Sequence, residues 1–269
     1  MTMQTHTNDQ AIAAAFVAAR RAGSGIASYP GIAPATLTDA YRIQDLALSL
    51  DGRQVVGWKV GRINPPLSTQ LGSDRLAGPI FADAAVIADG QPDMPVFADG
   101  FVAAEAELLL HVAPGFVGPI PTDDAGTRAI LDDIRLGIEV ASSPYPGINA
   151  GGPCVTASDF GNNAGLVLGA SLVGWQDIDL CAIPVSTEID GTIVGQATAA
   201  TMLDGPYGAV RFLLANLATR GIDPSGGLWV STGAITGVHE AGVGQKVIAR
   251  FGEYGDVRCT LVAAGRRDD

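Results

Sequence analysis

The sequence predicts an α+β protein in which a predominantly β core follows an N-terminal helical appendage. Three observations predict it. Ala-rich helical periodicity is concentrated before residue 52, strand patterns punctuated by Gly and Pro dominate from residue 53 onward, and the two do not alternate as a doubly wound parallel sheet requires. Composition agrees, because 35 Gly with only 16% charged residues suit tight turns and short strands better than a helical bundle. With 269 residues, 47% of them hydrophobic, the chain can bury one large core. The expected organisation is an appendage over 1–52 and a β-rich core over 53–269.

Residues 9–22 carry Ile12, Ala15, Phe16 and Ala19 on one stripe and read as a helix, capped by Asn8 or Asp9 and ended by Gly23. A Gly/Pro/Ser-rich loop over 24–35 precedes a second helix, expected from a Thr38 cap to about Leu50, with Ile43, Leu46, Ala47 and Leu50 facing inward. RQVVGWKVG (53–61) reads as a strand with Val56, Trp58 and Val60 on one face and Val55, Gly57 and Lys59 on the other. A helical turn near 65–71 and short strands near 79–81 and 84–88 follow. Strands are expected over 101–112 and 134–140, with a helix over 123–132 between them. The irregular stretch 144–163 suits a site loop. AGLVLG (164–169) is a buried strand, and 184–195 is a hairpin turning at Asp190-Gly191. An amphipathic helix over 206–221, a strand into a turn over 228–234 and a closing hairpin over 245–262 complete the chain.

Chemistry concentrates in three glutamates. The chain has six Glu against 22 Asp, and half of the Glu are Glu105, Glu107 and Glu139. On a strand over 101–112, Glu105 and Glu107 share one face and Val102, Ala104, Ala106, Leu108 and Leu110 the other. Glu139 repeats the pattern against Ile134, Leu136, Ile138 and Val140. Two glutamates on one strand face are most often solvated. Here their neighbours Ala103, Ala106 and Leu109 are small or apolar, and no Lys or Arg lies within 101–112. If the two strands are neighbours, three carboxylates converge, and a hard divalent cation is their natural partner.

Lys59 is the second feature. The chain has 14 Arg and only two Lys, so a lysine marks a place where guanidinium does not serve. Lys59, flanked by Gly57, Trp58 and Gly61, is expected to act in chemistry and to contribute little to folding. Arg62 and Arg75 could each hold a substrate carboxylate, though a surface role is as common. The turn STGAITG (231–237), including Thr232 and Gly233, could aim backbone N–H groups at an anion.

The net charge of −12 argues against nucleic acid or an anionic membrane as partner. Three scattered cysteines and three scattered histidines form neither a disulfide framework nor a zinc set. No signal peptide or membrane-length apolar run is visible, so the cytoplasm is the expected compartment. There is no dinucleotide or Walker fingerprint.

GWKVG at 57–61, EAE at 105–107, GIEV at 137–140, NAGLVLG at 163–169, DG at 190–191 and the closing STGAITG with GQKVIARFGEYGDV together resemble the 2-keto-4-pentenoate hydratase branch of the fumarylacetoacetate hydrolase superfamily. The similarity spans roughly residues 10–262 and lies in the order and spacing of the motifs. It implies a β-rich core of curved mixed sheets, Mg²⁺ or Mn²⁺ held by Glu105, Glu107 and Glu139, and Lys59 as catalytic lysine. It also implies a small anionic 2-oxo acid substrate and a homodimer or larger homo-oligomer. The implied activity is a metal-dependent lyase of a 2-oxo or 2-hydroxydienoate acid in aromatic or related catabolism, a hydratase first. An oxalocrotonate-type decarboxylase, a C–C hydrolase and a non-catalytic partner subunit are the alternatives. The sequence departs from the pattern where the family carries an acid after the lysine strand: Leu76 or Ala77 stands there, with Asp74 nearby. EVASSP (139–144) places Ser142 and Pro144 where the family has Asp and Arg, and DFGNNAG (159–165) replaces an ADNAS-like segment.

Overall fold

The computed structural model describes residues 3–267. Two helices open it, α1 (Met3–Ala22) and α2 (Leu37–Asp51). α1 begins earlier than its expected caps. Asn8 instead binds the Ile32 backbone, and Asp9 is buried against Arg42 at 2.7 Å. The cap of α2 is Thr36 rather than Thr38, since its side chain accepts from the Asp39 N–H. Gly52, in the left-handed region at φ 72°, ends that helix. Ile43 and Ala47 face inward as expected, but Leu50 is 49% exposed.

The next elements are β1 (Val55–Arg62), α3 (Leu67–Leu71), β2 (Arg75–Phe81), β3 (Ala85–Ile87), β4 (Asp93–Val96), β5 (Phe101–Val112), α4 (Asp124–Arg128) and β6 (Leu131–Ser143). After them come α5 (Pro153–Ser158), β7 (Asn163–Ser171), β8 (Pro184–Ile189), β9 (Thr192–Thr198), α6 (Gly205–Arg220), β10 (Leu228–Ser231), β11 (His239–Glu240), β12 (Lys246–Phe251) and β13 (Asp256–Ala263). One sheet runs β2-β1-β10-β5-β6-β7-β3, with β11 on β5; the other runs β4-β13-β12-β8-β9. Both are mixed, because β1 pairs with β10, β3 with β7 and β4 with β13 in parallel.

The even-numbered residues of β5 from Val102 to Leu110 face the second sheet, where Val247, Ala249, Phe251, Val257 and Leu261 meet them; Leu213, Leu214 and Leu217 of α6 join this core. The opposite face of the first sheet is also covered. Ile12 and Phe16 of α1, Ile43 of α2, Val155 of α5 and Phe160 pack there against Phe101, Ala103 and Ala141. β5 is thus a central strand enclosed on both faces, which is why its odd positions from Phe101 to Leu109 are small, apolar or glutamate.

Several boundaries differ from expectation for local reasons. The helix expected over 123–132 stops at Arg128, because β6 begins at Leu131 and pairs with β5. The irregular 144–163 segment contains α5. β4 and β11 are too short to carry a readable alternation. A bulge between Val55 and Gly57 rotates the start of β1. Val56 therefore packs with Ile80, Leu109 and Leu166, while Val55 joins the cluster of Trp58 and Val60.

β2 pairs with β1 so that Gly78 lies opposite Lys59. A Cβ at Gly78 would stand 2.1 Å from the Phe160 carbonyl oxygen, so only glycine lets the 160–162 turn rest on this strand. Gly78→Ala is expected to destabilise the fold by about 1–3 kcal/mol, the usual scale of overpacking, read as a lower urea midpoint. An unchanged midpoint would show that the turn has room to withdraw.

Candidate metal centre and active-site cavity

The pairing of the strands assembles the site. β5 and β6 are antiparallel with Glu105 directly opposite Glu139 and Glu107 opposite Gly137. Directly opposed residues share a face, so the three carboxylates converge. A Cβ at Gly137 would lie 2.3 Å from the Leu109 side chain, which explains the glycine opposite Glu107. β10 brings Ser231 beside Leu109, and β1 sets Lys59 beside Ser231. One carboxylate oxygen from each of Glu105, Glu107 and Glu139 lies within 4.8 Å of the other two. The three glutamates and Lys59 are buried, with Glu107 and Glu139 fully enclosed. Trp58, on the other side of β1, lies in the core.

Donors surround the carboxylates. Glu107 Oε2 accepts from Ser231 Oγ at 2.5 Å and from the Gly233 N–H at 2.9 Å. Glu139 Oε1 accepts from Asn163 Nδ2 at 2.9 Å. Lys59 Nζ stands 3.1 Å from Glu139 Oε2 and donates to Asn162 Oδ1, also at 3.1 Å. Asn162 donates onward to Asn149 at 3.0 Å. Glu107 Oε1 and Glu139 Oε2 are nonetheless buried without an aligned hydrogen bond. Buried acceptors are seldom left so.

This donor set fits a hard divalent cation. Three carboxylates less one ammonium leave a formal charge of −2 in a buried place, which a dication would cancel. Without metal the same excess of buried negative charge acts on each group's protonation. Burial pushes Glu105 up to about 7, opposed by Lys59 and reinforced by Glu139. Burial, then the charges of Glu139 and Glu105, push Glu107 well above the carboxylate range. Burial alone would lower the Lys59 ammonium, but Glu139, Glu105 and Glu107 outweigh it and hold it above its usual range. Lys59 is therefore placed as a counter-charge to the three carboxylates.

A cavity of about 800 Å³ opens over Lys59 and Glu105. Its walls come from the end of β1 through Leu67, the segment around Asn149–Asn162, residues 197–203 and the turn 232–238. Arg62 lies on this wall, exposed, with its guanidinium 3.4 Å from the Thr201 carbonyl oxygen. Arg75 also lines it but is buried and paired with Asp204. Thr232 and Gly233 line it too, yet their donors are turned inward. The Thr232 hydroxyl goes to the Leu108 carbonyl at 2.8 Å, and the anion served by the Gly233 N–H is Glu107.

Neither Asp74 nor Ser142 reaches the cavity. Leu76 lines it, and Ala77 is buried with its N–H donated to Tyr41. Asp74 is exposed beside Arg75. Ser142 is enclosed elsewhere, donating to the Phe101 carbonyl and accepting from the Phe97 N–H. Among the described residues, the cavity lining contains no Asp, His, Tyr or Cys. Asn149, Asn162, Asn163 and Ser231 were not singled out by sequence. They are uncharged, and only the position of DFGNNAG just before a buried strand could have flagged two of them.

Two mixed sheets enclosing a buried glutamate triad make the fold that of the fumarylacetoacetate hydrolase superfamily. The chain matches the structure of 4-oxalocrotonate decarboxylase from Pseudomonas putida G7 complexed with magnesium and adipate at a TM-score of 0.78, with 22% identity, covering 96% of this chain and 98% of that one. In sequence it is 30% identical over 204 residues to a 2-keto-4-pentenoate hydratase from Paraburkholderia phymatum, covering 74% of this chain and 76% of the relative. It is 26% identical over 231 residues to a 4-oxalocrotonate decarboxylase from Pseudomonas putida, covering 84% and 86%. No protein-family model matches. The chain belongs to the 2-keto-4-pentenoate hydratase and 4-oxalocrotonate decarboxylase branch of the superfamily.

Glu107→Gln removes one of the enclosed charges without changing shape. Mn²⁺ affinity, followed by electron spin resonance, is expected to fall at least about tenfold. Affinity equal to that of the unaltered protein would remove Glu107 from the ligand set.

Proposed function

We propose that this protein is a divalent-metal-dependent lyase that converts a small anionic 2-oxo acid through its enolate, with loss of CO₂ favoured over addition of water. One observation carries the reading. The cavity floor offers a cation site beside an ammonium, while among the described residues its walls hold no Asp, His, Tyr or Cys to take a proton from water, and their one carboxylate, Glu105, belongs to the cation site. Held by Glu105, Glu107 and Glu139, Mg²⁺ or Mn²⁺ would supply Lewis acidity at the substrate carboxylate and 2-oxo oxygens. Lys59, held by Asn162, presents an N–H donor to the same oxygens and can pass a proton to carbon. Ile63, Leu76, Met202 and Ile235 keep water from the carbon chain. Arg62 has no carboxylate partner among the described residues and can meet a second anionic group at the rim.

Decarboxylation suits this lining. Breaking the bond to CO₂ leaves its electron pair in the enolate, and protonation at carbon completes the step. No water has to be deprotonated. Relatives named for both reactions support the coarser lyase reading equally. Hydration is the second reading, favoured by the hydratase relative at 30% identity. It would need Lys59 or a bound water as base. The family resemblance further implies a homo-oligomer, and β9, an edge strand exposing Ile193 and Val194, supports one.

Ultraviolet-monitored turnover with Mg²⁺ tests the preference. Loss of CO₂ from 4-oxalocrotonate is expected to exceed hydration of 2-hydroxypenta-2,4-dienoate by about 10²-fold or more, the contribution of an absent general base. Comparable rates would overturn the preference, and no turnover of either would favour a non-catalytic subunit.

Lys59→Met is expected to lower kcat by about 10²-fold. It should also lower the melting temperature of the metal-free protein, with Mg²⁺ restoring it, because three buried carboxylates lose their counter-charge. A variant with full activity, or with a metal-free melting temperature unchanged, would contradict these two roles in turn.

A further inference from the structure

A buried ion pair outside the cavity holds the segment that furnishes Asn162 and Asn163, the asparagines that meet Lys59 and Glu139. Arg20 on α1 and Asp159 are almost fully buried. The guanidinium meets the carboxylate with both prongs, Nε to Oδ1 at 2.6 Å and Nη2 to Oδ2 at 2.9 Å. Its remaining donors reach backbone. Nη1 donates to the Asn163 carbonyl at 2.9 Å, and Nη2 lies 3.3 Å from the carbonyls of both Ser142 and Asp159. Ser143 Oγ completes the set by donating to Asp159 Oδ2 at 2.6 Å. One side chain therefore ties the end of β6, the start of β7 and the turn between α5 and β7.

That turn is strained. Phe160, Gly161 and Asn162 follow one another with φ of 52°, 62° and 58°, and two of the three are not glycine. It sits on Gly78, and its last residue carries the amide that holds Lys59. The next residue, Asn163, holds Glu139. Beside it β7 is irregular, since Val140 pairs with Gly165 but Ala141 pairs with Asn163. A strained turn followed by a bulge does not keep two amides aimed at two charges unaided. A buried ion pair is also weak as a source of stability, because apolar residues of similar volume often do as well. Its surroundings here are apolar, with the guanidinium 5.2 Å from the centre of the Phe160 ring and 5.6 Å from that of Phe97.

We infer that Arg20 is a positioning residue for the metal centre: through Asp159 and the Asn163 carbonyl it fixes the 159–163 segment, and so holds Asn162 against Lys59 and Asn163 against Glu139. The inference rests on the metal role proposed for Glu139. Arg20 touches neither the cavity nor the glutamates, and acts only through this chain of contacts.

Arg20→Met and the isosteric Asp159→Asn test it, with Mn²⁺ affinity and amide hydrogen exchange over 159–165 as readouts. Faster exchange confined to that segment is expected, together with Mn²⁺ affinity about 10–100-fold weaker, the scale seen when groups behind a ligand are lost. Arg20→Lys keeps the charge but not the planar fork, and is expected to stay nearer to Arg20→Met than to the unaltered protein. Full rescue by lysine would reduce Arg20 to a counter-charge and overturn the inference. Folded variants with unchanged Mn²⁺ affinity would overturn it as well. If Arg20→Met does not fold, Asp159→Asn decides, since it keeps the packing. If the unaltered protein binds no Mn²⁺, the metal reading fails, and exchange alone judges the clamp: unchanged protection of 159–165 overturns it. Asn163→Ala combined with Asp159→Asn is expected to lose little more Mn²⁺ affinity than either alone, because both break one chain.

Discussion

Three carboxylates and one ammonium buried in a sheet interior form the constraint on which the rest of the structure depends. Isolated charges are very costly to bury, and here they are enclosed by helices on one side and a second sheet on the other. The fold meets this cost with donors from three directions. Ser231 and Gly233 come from the end of β10, Asn163 from the start of β7, and Lys59 from β1. The two oxygens left without an aligned hydrogen bond belong to different glutamates, so the unmet demand lies between strands rather than on one of them. A cation bound there would meet both at once. The arrangement thus explains why the residues opposite and behind the glutamates are glycine, serine and asparagine, which bring donors or clearance without bulk.

The same enclosure separates the roles of the three glutamates. Glu105 lines the cavity, whereas Glu107 and Glu139 lie behind it. A substrate would therefore meet Glu105 and Lys59 first. Among the described residues the lining has Lys59, Arg62 and Arg75 as cations and Glu105 as its acid, with Lys59 paired to Glu139 and Arg75 to Asp204.

Much of this was legible in the sequence, and the limits have physical causes. β5 and β6 alternate over a dozen residues with unambiguous faces, so the convergence of Glu105, Glu107 and Glu139 followed once the strands were taken as neighbours. The Asp190-Gly191 turn was equally plain, since both residues need positive φ and have it, at 48° and 82°. The bulge at Val56 was not legible, because a single extra residue leaves the alternation intact on paper and changes which side each residue faces in space. Thr36 and Thr38 were interchangeable as caps by residue type, and only the hydrogen bond to Asp39 separates them. Asn162 and Asn163 escaped notice for a different reason. An asparagine that aims one amide at one charge leaves no periodicity and no charge pattern.

The N-terminal helices show how little a reading by segments reveals of energetic dependence. By composition, residues 1–52 look like an appendage. In three dimensions α1 and α2 close the glutamate face of the first sheet. α2 also sends Gln44 into the interior, where its amide donates to the carbonyls of Ala77 on β2 and Ala157 on α5. Those contacts join the strand beside Lys59 to the helix leading into the 160–162 turn. Arg20 of α1 reaches the same turn from the other side. The appendage is therefore a lid that supplies polar anchors as well as apolar cover. Without it, water would reach the carboxylates, their mutual repulsion would be screened, and the demand for a cation that defines the site would weaken.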